Sequence, residues 1–193
     1  KQEGAWLCNQ HKHFEPAPKN DVELKYLDAV FAATKYYAFP SNKVVEFFKF
    51  KGFRELGKIM AQEMQPLLPL KEKSFENAVL VPIPLHWTRR FWRGFNQAEV
   101  LAQAILESNP KWKYDTSLKR KKRTKQQARL KKQARIKNLE AAFVWKGKKC
   151  PSKIILIDDV VASGETLESA AKILKQMGAK TVIGLVFARG GKD

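Results

Sequence analysis

KIILIDDVVASGETLESAAKIL, Lys153 to Leu174, is the stretch whose reading decides the fold. It opens as an apolar run that ends on two adjacent carboxylates, Asp158 and Asp159. A loop of small residues follows, then an amphipathic segment, ETLESAAKILKQMG, with Gly178 to end it. A second apolar run, TVIGLVFA, comes next. Strand, helix and strand at this spacing predict a βαβ unit, whose parallel strands need a right-handed crossover. The expected fold class is therefore α/β, with a mainly parallel central sheet flanked by helices. Ligands of such sheets bind at the carboxyl ends of the strands. Both the Asp158–Asp159 stretch and PIPLHWTRRFWRGFNQ, which overlaps the end of the apolar run NAVLVPIPL, fall at such ends.

The two acids pose a chemical question, because the loop behind them suits an anion. Ser163 and Gly164 allow a tight turn with inward N–H groups, and the first turn of the following helix adds free N–H groups and the positive end of its dipole. Ser163 and Thr166 add hydroxyl donors. A phosphate monoester fits there, yet neighbouring carboxylates would repel it unless they held something else. Sugar hydroxyls answer that requirement, since carboxylates accept hydrogen bonds well and a ribose diol offers two donors. The pattern points to a ribose 5-phosphate gripped at both ends. Three other readings compete. GFRELGK, Gly52 to Lys58, has phosphate-loop spacing, but Ile59 stands where a magnesium-binding hydroxyl would be needed. A two-carboxylate nuclease site would need further acids, and none stands out. Two acids could also serve only to cap a helix, although one would do.

The rest of the chain reads around this unit. DAVFAATKYYAF alternates as a strand or a hairpin arm would. Ser41 and Asn42 are expected N-caps for the helix KVVEFFKFK, ended by Gly52, and FRELGKIMAQEMQPL reads as a second helix stopped near Pro66. NQAEVLAQAILESN is a third, and AAFVW a further strand. The chain has 193 residues, 37 Lys plus Arg against 19 Asp plus Glu, and a formal charge of +18. Lys119 to Lys137 holds 11 basic residues and no acid, which leaves +7 for everything else. Such a run is either a solvated segment or a cationic flap over a polyanion or a diphosphate. With 44% hydrophobic residues and 12 Phe, wholesale disorder is excluded. No apolar run approaches a membrane span and the first residues lack a signal-peptide core, so the cytoplasm is the expected compartment. Two cysteines, Cys8 and Cys150, provide no disulfide framework.

IILIDDVVASGETL resembles the phosphoribosyl-diphosphate (PRPP) motif of type I phosphoribosyltransferases. Two further segments resemble the ComF competence family within that superfamily. One is VPIPLHWTRRFWRGFNQAEVLAQAI, from Val81; the other is TKQQARLKKQARIKNLEAAF, from Thr124, where Gln126 replaces the family's usual proline. VFAATKYYAFPSNKVVEFFKFKG is similar to that family's tyrosine-containing hairpin and the helix after it. The resemblance spans about residues 26–190. It implies a type I phosphoribosyltransferase-like domain over 26–193, with a flexible basic hood at 115–140. Residues 1–25 would then be an N-terminal hairpin or the remnant of a zinc ribbon. Of a four-ligand zinc site only Cys8 and His11, with His13, are present.

The resemblance also assigns roles. Asp158 and Asp159 would hold the ribose hydroxyls, and Ala162, Ser163, Gly164, Glu165 and Thr166 would wrap the 5-phosphate. Arg89, Arg90, Arg93 and Gly94 would face the diphosphate, with Arg123, Thr124 and Gln127 coming from the hood. Magnesium would bridge diphosphate and ribose oxygens. Ala162 stands where purine-specific relatives carry an acid, and Glu165 places a negative charge in the phosphate loop. A second role, in single-stranded DNA binding, rests on aromatics interleaved with arginines in HWTRRFWRGF. Its candidates are Trp87, Arg90, Trp92 and Arg93, with Lys121, Lys122, Arg123, Lys125, Arg129, Lys131 and Lys132 from the basic segment. The ComF likeness implies DNA uptake in natural transformation, with uptake or recombination proteins as partners. The alternative is a phosphoribosyltransferase that transfers ribose 5-phosphate to a small base.

Overall fold

The structure is a computed structural model, and it describes residues 24–68, 77–110, 112–121 and 142–190. Its centre is a five-stranded, all-parallel sheet. β1 (Ala29–Lys35) lies at one edge, followed by β7 (Thr181–Arg189), β6 (Lys153–Val161), β2 (Val79–Pro82) and β3 (Lys113–Tyr114). Ile154 to Ile157 of β6 are all fully buried. A strand covered on both faces needs such an unbroken apolar run rather than an alternating one. The expected βαβ unit is present as β6, α5 (Glu165–Gln176) and β7.

Two cores cover the two faces. On one side α1 (Ser41–Phe50), α2 (Leu56–Met64) and α4 (Gln97–Ser108) bury Val44, Phe48, Met60, Met64, Leu101 and Ile105 against Ile155, Ile157, Ile183 and Leu185. On the other, Leu167, Ala170, Ala171 and Leu174 of α5 pack on Ile154, Leu156, Val182 and Val186. A small antiparallel ladder of β4 (Leu118–Arg120) and β5 (Phe143–Trp145) closes that side with Leu118, Phe143 and Trp145.

The structure settles three local points. DAVFAATKYYAF contributes an edge strand parallel to β7 rather than a hairpin arm, held in register from Ala29↔Ile183 to Lys35↔Arg189. Ser41 and Asn42 do not cap α1. Pro40 occupies the cap position, and the Ser41 hydroxyl is buried 2.8 Å from that of Thr34, which welds the helix start to β1. The stretch after β2 contains the helix α3 (Trp87–Arg93). Of the proposed division of the chain, residues 1–23 and 122–141 lie outside the described residues.

The strand order places the site. β6 leads through α5 to β7 on one side, while β2 leads through α4 to β3 on the other. The order therefore reverses between the adjacent strands β6 and β2. At such a point the two outgoing loops diverge and leave a crevice at the carboxyl edge of the sheet.

Candidate functional site

β6 carries the acidic pair at the carboxyl edge of the sheet, beside the point where the strand order reverses. The strand continues past both acids to Val161, whose carbonyl accepts from Gly190 N–H at 2.7 Å, so Asp158 and Asp159 are held in the ladder with β7 rather than beyond its end. Asp159 shares the face of Ile155 and Ile157, as the two-residue period of a strand requires. It is buried there, and its Oδ1 lies 2.9 Å from Lys49 Nζ of α1. Asp158 Oδ1 accepts the Asp159 backbone N–H at 2.9 Å. Burial above all, and then the charge of Asp159, push the Asp158 carboxyl up to about 7; the Asp159 N–H, Lys49 and Arg120 oppose that rise.

The loop after the acids is built as its composition requires. Gly164 takes a left-handed φ of 77°, a conformation that costs other residues roughly 1–2 kcal/mol. It turns the chain straight into α5, and no side chain caps that helix. The first-turn N–H groups are thus left for another acceptor. Ala162 and Ser163 are exposed and Thr166 is half-buried. Glu165 is exposed on the first turn, in solvent rather than folded into the core. Glu168, one turn on, acts in the packing instead. Its carboxylate accepts the backbone N–H groups of Lys25, Tyr26 and Leu27 at 2.9–3.2 Å and ties the start of the described chain to α5.

The facing wall follows β2. α3 ends at Gly94, left-handed at φ 74°, and Phe95 returns to the core, where its ring meets Phe48 edge-on. Asn96 secures the turn by donating to Ile83 O at 3.1 Å and accepting from Ala98 N–H at 3.2 Å as the cap of α4. Arg93 projects from the last turn of α3. Its guanidinium sits over the Phe50 ring at 5.0 Å and donates to Gln97 Oε1 at 3.2 Å. Burial lowers its pKa, while the charges of Asp159 and Asp158 act the other way, so Arg93 lies within electrostatic reach of the acid pair. Arg89 adds positive charge beside it. Arg90 turns elsewhere, to Glu99 at 3.4 Å. Gln97 is buried, and its Nε2 has no partner among the described residues.

The interleaved aromatics divide cleanly. Trp87, Phe91 and Trp92 are 58%, 80% and 85% exposed, whereas Phe95 is core. Lys121 is exposed, its backbone N–H bonded to Ala142 O. Lys122, Arg123, Thr124, Lys125, Gln127, Arg129, Lys131 and Lys132 lie outside the described residues, as do Cys8, His11 and His13. Among the described residues no group of three metal-binding side chains occurs. Cys150 packs against the α5 core with its thiol 3.7 Å from Leu174 O, and burial raises its pKa. It is a packing thiol.

Two residues in contact with these groups escape a reading of the sequence alone, Lys49 at Asp159 and Gln97 at Arg93. Lys49 did leave a trace. Val45 and Phe48 precede it by four and one residues, so it falls on the buried stripe of α1, where a cation needs a partner.

The profile of the phosphoribosyl transferase domain family matches residues 92–193, slightly more than half of the chain. Competence protein F of Haemophilus influenzae is 27% identical over 154 residues, covering 76% of this chain and 67% of that protein. Competence protein ComFC of Streptococcus pneumoniae is 31% identical over 135 residues, 70% of this chain and 57% of that one. The DNA utilization protein YhgH of Salmonella typhi is 32% identical over 117 residues, 60% and 48%. The chain thus spans between about half and two thirds of these relatives. With the parallel sheet, the acid pair and the glycine-turned loop in place, the chain belongs to the phosphoribosyl transferase domain family, in its ComF branch.

Proposed function

We propose that this protein binds PRPP with magnesium in the crevice between β6 and β2, binds single-stranded DNA beside it, and acts in DNA uptake during transformation. One observation carries the first part: the Asp158–Asp159 pair stands directly before an uncapped helix start, across from Arg93. Acceptors for a diol, donors for a terminal phosphate and a cation for a diphosphate then follow one another across one crevice. Thr166 and the N–H groups from Ala162 to Thr166 would receive the 5-phosphate. Arg93 and Arg89 would face the diphosphate, and Arg90 would join only by leaving Glu99. The residues fit a hard cation that enters on the ligand's own oxygens, since carboxylates are the nearby protein donors. Magnesium would there offset the charge of a departing diphosphate. Stabilisation of that charge and exclusion of water matter more here than any nucleophilic side chain.

Support for the DNA part comes from α3, whose three exposed aromatics stand among three arginines, and from the names of the relatives. Stacked bases contribute about 1–3 kcal/mol each on such platforms. The cytoplasm, where incoming single strands are handled, is the proposed compartment; among the described residues no helix is long and apolar enough to cross a membrane.

Calorimetry with PRPP and magnesium tests the sugar-phosphate site. We expect heat from the wild type and none from Asp158→Asn/Asp159→Asn; equal heats would remove the site. Fluorescence anisotropy with a labelled oligonucleotide tests the other part. Affinity should fall about 10³-fold or more between 50 and 200 mM salt if six or more phosphates are contacted. No binding at 50 mM, together with diphosphate release on adding a base, would favour the small-base transferase.

A further inference from the structure

We infer that Lys49 is a residue of the ligand site, positioning the Asp159 carboxylate for the sugar diol. This rests on the PRPP reading of the crevice and extends it to a helix, α1, that the acid-pair motif does not include. The contact is short and enclosed: Nζ to Oδ1 is 2.9 Å, with side chains 18% and 8% exposed. The lysine fixes one carboxylate oxygen, so Oδ2 is the oxygen left to accept from a hydroxyl. Its charge also offsets the acid pair, which would otherwise repel the anion that the adjoining loop is shaped to receive. The next residue, Phe50, lies beneath the Arg93 guanidinium. The last turn of α1 therefore touches both walls of the crevice, the acids on β6 and the arginine on α3. Architecture alone does not explain the pair. A buried ion pair adds little stability over an apolar replacement, whereas removing one partner strands the other's charge.

Four variants decide the matter: Lys49→Met, Lys49→Arg, Asp159→Asn, and Lys49→Met in the Asp159→Asn background. Calorimetry with magnesium measures the affinity of each for PRPP and for ribose 5-phosphate. We expect Lys49→Met to weaken both ligands equally, by about 10-fold or more, the loss typical of a hydrogen bond to a charged group. Lys49→Arg should restore most of that loss. In the Asp159→Asn background Lys49→Met should cost nothing further, because the lysine acts through that carboxylate. This double variant also strands no charge, so a further loss relative to Asp159→Asn would overturn the inference even if Lys49→Met fails to fold. Unchanged affinity in Lys49→Met would overturn the inference. So would a loss confined to PRPP, which would make Lys49 a diphosphate contact, or an undiminished loss in the Asp159→Asn background. A wild type that binds neither sugar phosphate would instead remove the PRPP reading, and this inference with it.

Discussion

Asp158 and Asp159 are adjacent in the chain, yet the fold gives them different lives. Asp159 is neutralised by Lys49, while Asp158 is desolvated and held at about 7. That difference has a pH signature. An unfolded Asp158 titrates near 3.8, so between about pH 4 and pH 7 the folded chain holds the proton more tightly than the unfolded one. The stability it contributes is complete below about pH 4 and is lost as pH rises through about 7. Asp158→Asn carries no charge at any pH and escapes that loss. Relative to wild type, it should gain on the order of 2 kcal/mol between pH 5 and pH 8 in urea unfolding. An offset between the two proteins that stays constant with pH would show that Asp158 titrates as an ordinary surface acid. The acids themselves were legible because they stand next to each other beside a small-residue loop. Lys49 was not, because its partner lies far along the chain and only packing of α1 on that face of the sheet brings them together.

Helices show a similar division. α4 and α5 were readable from their apolar stripes, since each covers one face of the sheet. α3 has no stripe to read: none of its residues is buried, and the Gly94 turn and a His86–Thr88 contact of 2.7 Å frame a helix that faces solvent. The α2–α4 contact depends on one small residue. A Cβ added at Gly57 would come within 2.6 Å of Val100 Cγ1. Alanine is the better helix former by about 1 kcal/mol, but overpacking of this kind costs about 1–3 kcal/mol. Gly57→Ala should therefore lower the thermal midpoint, and adding Val100→Ala should recover most of it. A single variant as stable as wild type would mean that the two helices slide apart freely.

Over the molecule as a whole, the acid pair and the exposed aromatics lie toward the same end of the sheet, because Pro82 at the end of β2 pairs with Ile157 and α3 begins after four intervening residues. Arg89 and Arg93 add positive charge at that end of the sheet. Trp92 is 85% exposed, so Trp92→Ala should leave the melting curve in place. It should also weaken oligonucleotide binding by about 1–3 kcal/mol in anisotropy titrations. Unaltered affinity would take α3 out of the DNA interface.

The order of short-range signals in the chain was enough for the α/β class, the βαβ unit and the acid-pair loop, because each depends on neighbours in sequence. Strand periodicity, a glycine at a turn and an amphipathic stripe are local properties that the chain carries wherever it goes. Which edge β1 occupies, how far β6 runs past its acids, which aromatics face water and which cation meets Asp159 were settled only by assembly. Those outcomes depend on which surfaces the sheet leaves for each segment to cover, and that is fixed when the strands take their order, not by any one stretch of residues.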